Sequence, residues 1–262
     1  MALNKSPILI LISLGLIGTI ALLFARTKHD PAPREKETPP AFAQQSDPAP
    51  ADAQSYKDLL AKIEAERISL SSRFEQAASP AEQASVVAQA RTFITRSIYT
   101  QIFPAWYGTA WDFNGTTEAP RQGMIACGYF VSTVLRDAGW KLQRARLAQQ
   151  ASENIILSLT SDTHVKRFRR VALAEFVGAV KHWGAGLYIV GLDVHVGFIV
   201  NTGDEVYFIH SSYVEPYMVV SEKAMESRIL AASKYRVLGK VTADDVFIKK
   251  WLRKTEIVTR TA

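Results

Sequence analysis

The stretch GMIACGYFVSTVLRDAG, residues 123–139, contains the single cysteine of this 262-residue chain. One cysteine excludes an intrachain disulfide, so Cys127 is a small buried hydrophobe, a metal ligand or a nucleophile. Apolar residues follow it with helical spacing, which predicts that Cys127 lies in the first turn of a helix. A helix N-terminus favours a thiolate, and the backbone N–H of Cys127 would be available to an oxyanion. The sequence therefore indicates a candidate nucleophile.

A cysteine nucleophile needs a base on a rigid element, and histidine is the usual one. His195 lies in DVHVGFIV, whose alternation predicts a strand with His195 and Gly197 on one face. His210 ends the next predicted strand, VYFIH, and is positioned to orient the imidazole of His195. Asp112 and Asp193 lie nearby in sequence, and we interpret them as surface or turn residues.

The order of these segments resembles the NlpC-type cell-wall peptidases, which are papain-like cysteine hydrolases of peptidoglycan stem peptides. The similarity extends over about residues 106–213 and rests on GTAWDFNGT, CGYFVSTVL and HVGFIVNTGDEVYFIHSS. Ala126 stands where the family usually has aspartate, and Trp111 stands where it has a tyrosine.

The resemblance implies an α+β, papain-like fold in which a cysteine-bearing helix packs on an antiparallel sheet. It implies that Cys127 is the nucleophile, His195 the base and His210 the residue that orients the base. Trp111 would line the substrate groove. No cofactor is expected for such a reaction.

Three other interpretations remain open. The same scaffold can hydrolyse or transfer other acyl groups, including esters. The chain can instead be an inactive, membrane-tethered binding protein with a peptidase fold. Cys127, His195 and His210 can also hold Zn²⁺ with water in the open position.

Composition limits the partners. The formal charge of +6 suits an anionic polymer or surface, such as nucleic acid, anionic lipid or an acidic wall polymer. The densest basic run, KRFRR at 166–170, is short, and we interpret it as a solvated helix flank rather than a nucleic-acid site.

The N-terminal part is predicted to tether the domain. Residues 1–28 contain ILILISLGLIGTIALLFA, an uncharged run close to the length of a membrane-spanning helix, and a cleaved signal peptide is the alternative. Residues 29–54 are rich in Pro and Ala and predict an extended linker. A positive-inside count places the domain in the cytoplasm, whereas the expected substrate places it outside, and we favour the outside.

The remaining pattern predicts a helical hairpin over 55–103 and a papain-like domain over 104–262. In that domain we expect further helices over 144–159 and 171–182, and a closing helix capped by Thr242. Strands are expected over 186–192, 194–201, 205–212, 217–220 and 235–241. Helices that precede an antiparallel sheet define an α+β architecture.

Overall fold

The computed structural model describes residues 52–261 of the chain. The predicted membrane anchor (1–28) and all but the end of the predicted linker (29–54) lie outside the described residues. Within residues 52–261, no helix has the length and apolar character needed to cross a bilayer.

The predicted hairpin corresponds to two helices. Helix α1 (Ala53–Gln76) begins at Asp52, whose side chain accepts a hydrogen bond from the Ser55 backbone N–H. Helix α2 (Pro80–Ser97) is capped by Ser79, whose side chain accepts a hydrogen bond from the Glu82 backbone N–H. A π-helical turn (Ile98–Ile102) then leads into α3 (Phe103–Trp106).

The other helices are distributed along the rest of the domain. They are α4 (Cys127–Asp137), α5 (Arg144–Ala148), α6 (Ser152–Leu159), α7 (Leu173–His182), α8 (Arg228–Ala232) and α9 (Asp245–Leu252). The buried apolar residues of α1 and α2 belong to the same core as those of α4 and α9. The hairpin is therefore packed into the domain rather than separate from it.

Six antiparallel strands form one sheet in the order β1-β6-β2-β3-β4-β5. The strands are β1 (Val165–Arg169), β2 (Gly186–Leu192), β3 (Val196–Asn201), β4 (Val206–Ser211), β5 (Val219–Lys223) and β6 (Tyr235–Gly239). Alternate residues of β2 and β3 enter two different cores, since Phe198 packs with α4 and Ile199 packs with α7 and α8. The α+β class is thus observed, with helices on both faces of the sheet.

Several element boundaries differ from the sequence prediction. The helix expected over 144–159 is two helices, because the chain turns at Gln149 and Gln150 so that α5 packs on α4 while α6 packs on β2. Residues 166–170 are expected to be a solvated helix flank, but Val165–Arg169 form the edge strand β1. Among the described residues this strand pairs only with β6, so it can expose charged side chains.

Two further corrections concern the ends of the sheet domain. The cap of α9 is Asp244, which accepts from the Val246 N–H, whereas Thr242 lies in a preceding 3₁₀ turn and donates to Leu187. The strand expected over 217–220 is shifted to Val219–Lys223. This shift brings Glu222 into the sheet beside β4.

A glycine allows α4 and α5 to touch next to Cys127. A Cβ on Gly128 would overlap the carbonyl oxygen of Ala148 deep inside contact distance. Backbone atoms cannot move away as a flexible side chain can, so this residue must lack a side chain for α5 to pack where it does.

We expect Gly128→Ala to destabilise the fold by about 1–3 kcal/mol through this overlap. The matched control is Gly178→Ala in α7, where a Cβ meets nothing within 4 Å. That change should stabilise the protein by up to about 1 kcal/mol, because alanine has the higher helix propensity. Urea denaturation of both variants measures the two free energies, and equal effects would contradict the packing argument.

Candidate active site

Cys127 is the first residue of α4, as the sequence predicts. The preceding residue, Ala126, has extended backbone and no side chain that can cap the helix. The backbone N–H groups of Val196, Gly128 and Cys127 face the sulfur and favour a thiolate. Cys127 is partly buried, and this burial is the larger effect, so that the pKa of the thiol is raised. The resting thiol is therefore neutral near pH 7.

His195 lies immediately before β3 rather than within it. Its carbonyl accepts a hydrogen bond from the Leu192 N–H at 2.8 Å, which closes the turn between β2 and β3. Only 4% of His195 is exposed. The edge of the ring packs against Tyr213, with ring centroids 5.0 Å apart. The imidazole is thus fixed by a turn and by aromatic packing.

His210 lies on β4 and contacts His195 directly. His195 Nε2 and His210 Nδ1 are 3.0 Å apart, a hydrogen-bond distance. Gly197 permits this approach, because a Cβ there would lie 2.8 Å from the Cβ of His210 and 2.7 Å from the ring of Phe208. The space that glycine leaves above the sheet is therefore filled by β4 side chains rather than open.

The hydrogen-bonded chain continues to a carboxylate that the sequence analysis did not identify. His210 Nε2 lies 3.2 Å from Glu222 Oε1, on β5. Burial acts to raise the pKa of Glu222, but hydrogen bonding, chiefly from His210, outweighs it and leaves the pKa below its ordinary value. Glu222 is thus ionised at neutral pH and can only accept hydrogen bonds.

The carboxylate determines the tautomer of both rings. Because Glu222 only accepts, the proton of neutral His210 lies on Nε2, and its Nδ1 is an acceptor. His195 must then donate from Nε2, so its Nδ1 carries a lone pair. This Nδ1 is buried and has no hydrogen-bond partner within residues 52–261. The hydrogen-bonded chain therefore ends on one basic nitrogen, His195 Nδ1, that has no partner among the described residues.

Cys127 and His195 line the same cavity, of about 720 Å³, with Trp111 and Tyr213. No hydrogen bond joins the Cys127 thiol to His195 Nδ1, since that nitrogen has no partner among the described residues. In ligand-free enzymes such contacts are often long and shorten only when substrate binds. The structure thus places Cys127 and His195 at one cavity without a hydrogen bond between the thiol and Nδ1.

Burial determines the charge state of both rings. It holds the pKa of His195 well below the ordinary value of 6.5, with a smaller contribution from the neighbouring His210. Burial also lowers the pKa of His210, although Glu222 acts in the opposite direction. Both imidazoles are therefore neutral at pH 7, as a base and its orienting residue need to be.

The other candidate residues have distinct positions. Trp111 lines the cavity, and its ring lies 6.4 Å from Tyr213 and 6.3 Å from Tyr217, centroid to centroid. Asp112 accepts a hydrogen bond from the Asn114 N–H in a loop, as a turn residue does. Asp193 accepts from the backbone of Lys234 and Tyr235 and joins two turns.

The zinc alternative lacks support from this arrangement. Within residues 52–261 there is no group of three or more His, Cys, Asp or Glu side chains arranged to hold a metal ion. Both ring nitrogens of His210 are already hydrogen-bonded, Nδ1 to His195 and Nε2 to Glu222, so His210 has no nitrogen left for the metal in this arrangement.

We expect Glu222→Gln to disturb the tautomers without removing the side chain. A Gln amide can donate to His210 Nε2, which would move the His210 proton to Nδ1. His195 Nε2 would then accept a hydrogen bond, and the His195 proton would move to Nδ1. Ring ¹⁵N chemical shifts in histidine-labelled protein should report Nε2–H tautomers at both residues in the wild type and a mixture in the variant. The neighbouring exposed Glu226→Gln is the matched control. A wild-type His195 protonated at Nδ1 would contradict the assignment.

Acid should destabilise the fold through the two buried rings. Their folded pKa values lie below the ordinary 6.5, so the unfolded chain binds more protons as the pH falls below about that value. The contribution of the two neutral rings to the free energy of unfolding is fully present above about pH 6.5. Below that pH it should decline by up to about 1.4 kcal/mol per pH unit for each ring. His210→Asn should make the decline of Tm between pH 7 and 5 shallower, whereas exposed His182→Asn should not. Parallel slopes for wild type and His210→Asn would disprove this account.

No protein-family model, curated protein or solved structure matches the chain. The functional assignment therefore depends on the geometry of Cys127, His195, His210 and Glu222.

Proposed function

We propose that the chain is a cysteine hydrolase of papain-like, NlpC-type fold that cleaves an amide or peptide bond through a thioester. One observation carries the proposal: His195 lines the same cavity as Cys127, its buried Nδ1 has no partner among the described residues, and His210 holds the opposite ring nitrogen. A buried polar atom without a partner is costly, so its presence calls for an explanation, and a catalytic role is one.

The reaction begins with two neutral groups. His195 Nδ1 takes the thiol proton as the Cys127 sulfur attacks the carbonyl carbon, and the Cys127 N–H stabilises the oxyanion. The imidazolium then gives its proton to the leaving amine as the C–N bond breaks and the thioester remains. Water, activated by His195, hydrolyses the thioester and restores the thiol. His210 and Glu222 keep the His195 ring in the required tautomer.

The resemblance points to peptidoglycan stem peptides as the substrate. The net charge of +6 suits an acidic wall polymer. The predicted anchor and Pro/Ala-rich linker would hold the domain on the extracytoplasmic side of a membrane, within reach of the wall.

A specific observation favours a second candidate, an inactive binding protein that retains the fold. Burial raises the pKa of Cys127, and no hydrogen bond joins its thiol to His195 Nδ1 within the described residues. A thiol that never reacts would have these properties.

The two candidates differ in how Cys127 depends on His195. In the enzyme, Cys127→Ala abolishes digestion of purified peptidoglycan stem peptides, and His195→Ala lowers kcat by about 10²- to 10⁴-fold. His195→Ala should also slow alkylation of Cys127 by iodoacetamide, because the base no longer takes the thiol proton. Exposed His182→Ala is the control. Alkylation at an unchanged rate in His195→Ala, with no digestion by wild type, would establish the inactive alternative.

A further inference from the structure

We propose that the cavity beside Cys127 is a subsite for an apolar, uncharged acyl group of fatty-acyl type, and that the enzyme cleaves amides or esters of such groups. This inference rests on the proposed cysteine-hydrolase function and narrows its substrate. It departs from the substrate that the family resemblance implies.

The lining of the cavity carries the first step. Among the described residues, those that line the 720 Å³ space include no Asp, Glu, Lys or Arg. The side chains that line it are mainly aromatic and small apolar groups: Trp111, Phe113, Tyr129, Tyr213, Val194, Ala126 and Ala148. A volume of this size is typical of ligand sites, which range over about 300–1,000 Å³.

The mouth of the cavity shows unusual exposure of apolar groups. Phe113 and Val194 both line the cavity, yet each is 79% exposed. A ligand that filled the cavity would cover these two side chains. Apolar side chains exposed together beside a pocket are a recognised sign of a binding surface.

The nearby guanidinium is not available to a charged substrate. Arg144 lies over the ring of Tyr129, 4.9 Å from its centroid. Its N–H groups donate to the Thr133 hydroxyl and to the carbonyls of Thr116 and Thr117. Arg144 therefore holds the loop that forms the cavity wall.

Charge decides between the substrate classes. Peptidoglycan stem peptides carry carboxylates and amines, and an unpaired charge in such a cavity loses its hydration without compensation. An apolar acyl chain instead gains about 25 cal/mol for each Å² removed from water.

A smaller cavity adjoins the larger one. It has a volume of about 280 Å³ and shares with it Cys127, Gly128, Ala148, Val194 and His195. Its additional lining combines polar Gln150, Ser152 and Asp193 with apolar Ala151, Ile155, Leu192 and Val196. In the proposal, the leaving amine or alcohol occupies this smaller cavity. The carbonyl carbon forms its S–C bond to Cys127, the leaving amine or alcohol departs with the thiol proton, and water releases the fatty acid.

The test uses the full-length protein and 4-nitrophenyl esters, with rates of the Cys127→Ala protein subtracted. The acyl group varies from acetyl to octanoyl, and the octanedioic half-ester supplies a carboxylate at the same chain length. We expect kcat/KM to rise at least about tenfold from acetyl to octanoyl, since each buried methylene contributes about 0.8 kcal/mol. Octanoyl should also exceed the half-ester at least about tenfold.

Two matched variants test whether the preference for the octanoyl ester arises at this cavity. Val194→Lys should reduce the preference for octanoyl over the half-ester, because it places a cation at the mouth. Val258→Lys is the control, since Val258 is also 79% exposed and does not line the cavity. Equal rates on all esters, together with digestion of stem peptides, would overturn the inference while the proposed function stands. Absence of Cys127-dependent turnover on every substrate would overturn both.

Discussion

The hydrogen-bonded chain from Glu222 through His210 to His195 is the interaction on which the site depends. It joins three neighbouring segments of the sheet: β5, β4 and the turn that precedes β3. Burying two imidazoles and half-burying a carboxylate is tolerable because each satisfies the next. The chain ends on one nitrogen, His195 Nδ1, without a partner in residues 52–261. The hydroxyls of Thr95 and Thr259 are also buried without a partner, but only His195 Nδ1 belongs to a residue that lines a cavity with Cys127.

The hydrogen-bonded chain from Glu222 to His195 also shows which parts of the site local sequence patterns can predict. Cys127 at a helix start, and His195 and His210 on either side of a short hairpin, follow from periodicity and turn residues that act over a few positions. Glu222 does not, because β5 is an edge strand with the polar sequence VVSEK and lacks the alternation that identifies a buried strand. Its pairing with β4 is a tertiary contact, and the register that carries Glu222 towards His210 is set there. The edge strand β1 escaped prediction for the same reason.

The cavity could not be predicted from sequence, because its walls come from segments far apart in the chain. Trp111 and Phe113 come from the loop before α4, Ala148 from the end of α5, Val194 from the β2–β3 turn and Tyr213 from the loop after β4. Each loop is held by contacts that no local pattern encodes, such as those of Arg144 with Thr116 and Thr117. Function-bearing loops on a regular scaffold are the general case.

The neutral resting state of Cys127 connects the chemistry to the shape of the cavity. Burial opposes a thiolate, while the N–H groups of Val196, Gly128 and Cys127 favour one. A ligand that fills the cavity and excludes water would raise the pKa of the thiol further, because burial is already the larger effect there. The proposed reaction therefore needs the proton to pass from Cys127 to His195 while the S–C bond forms, rather than before it as a free thiolate.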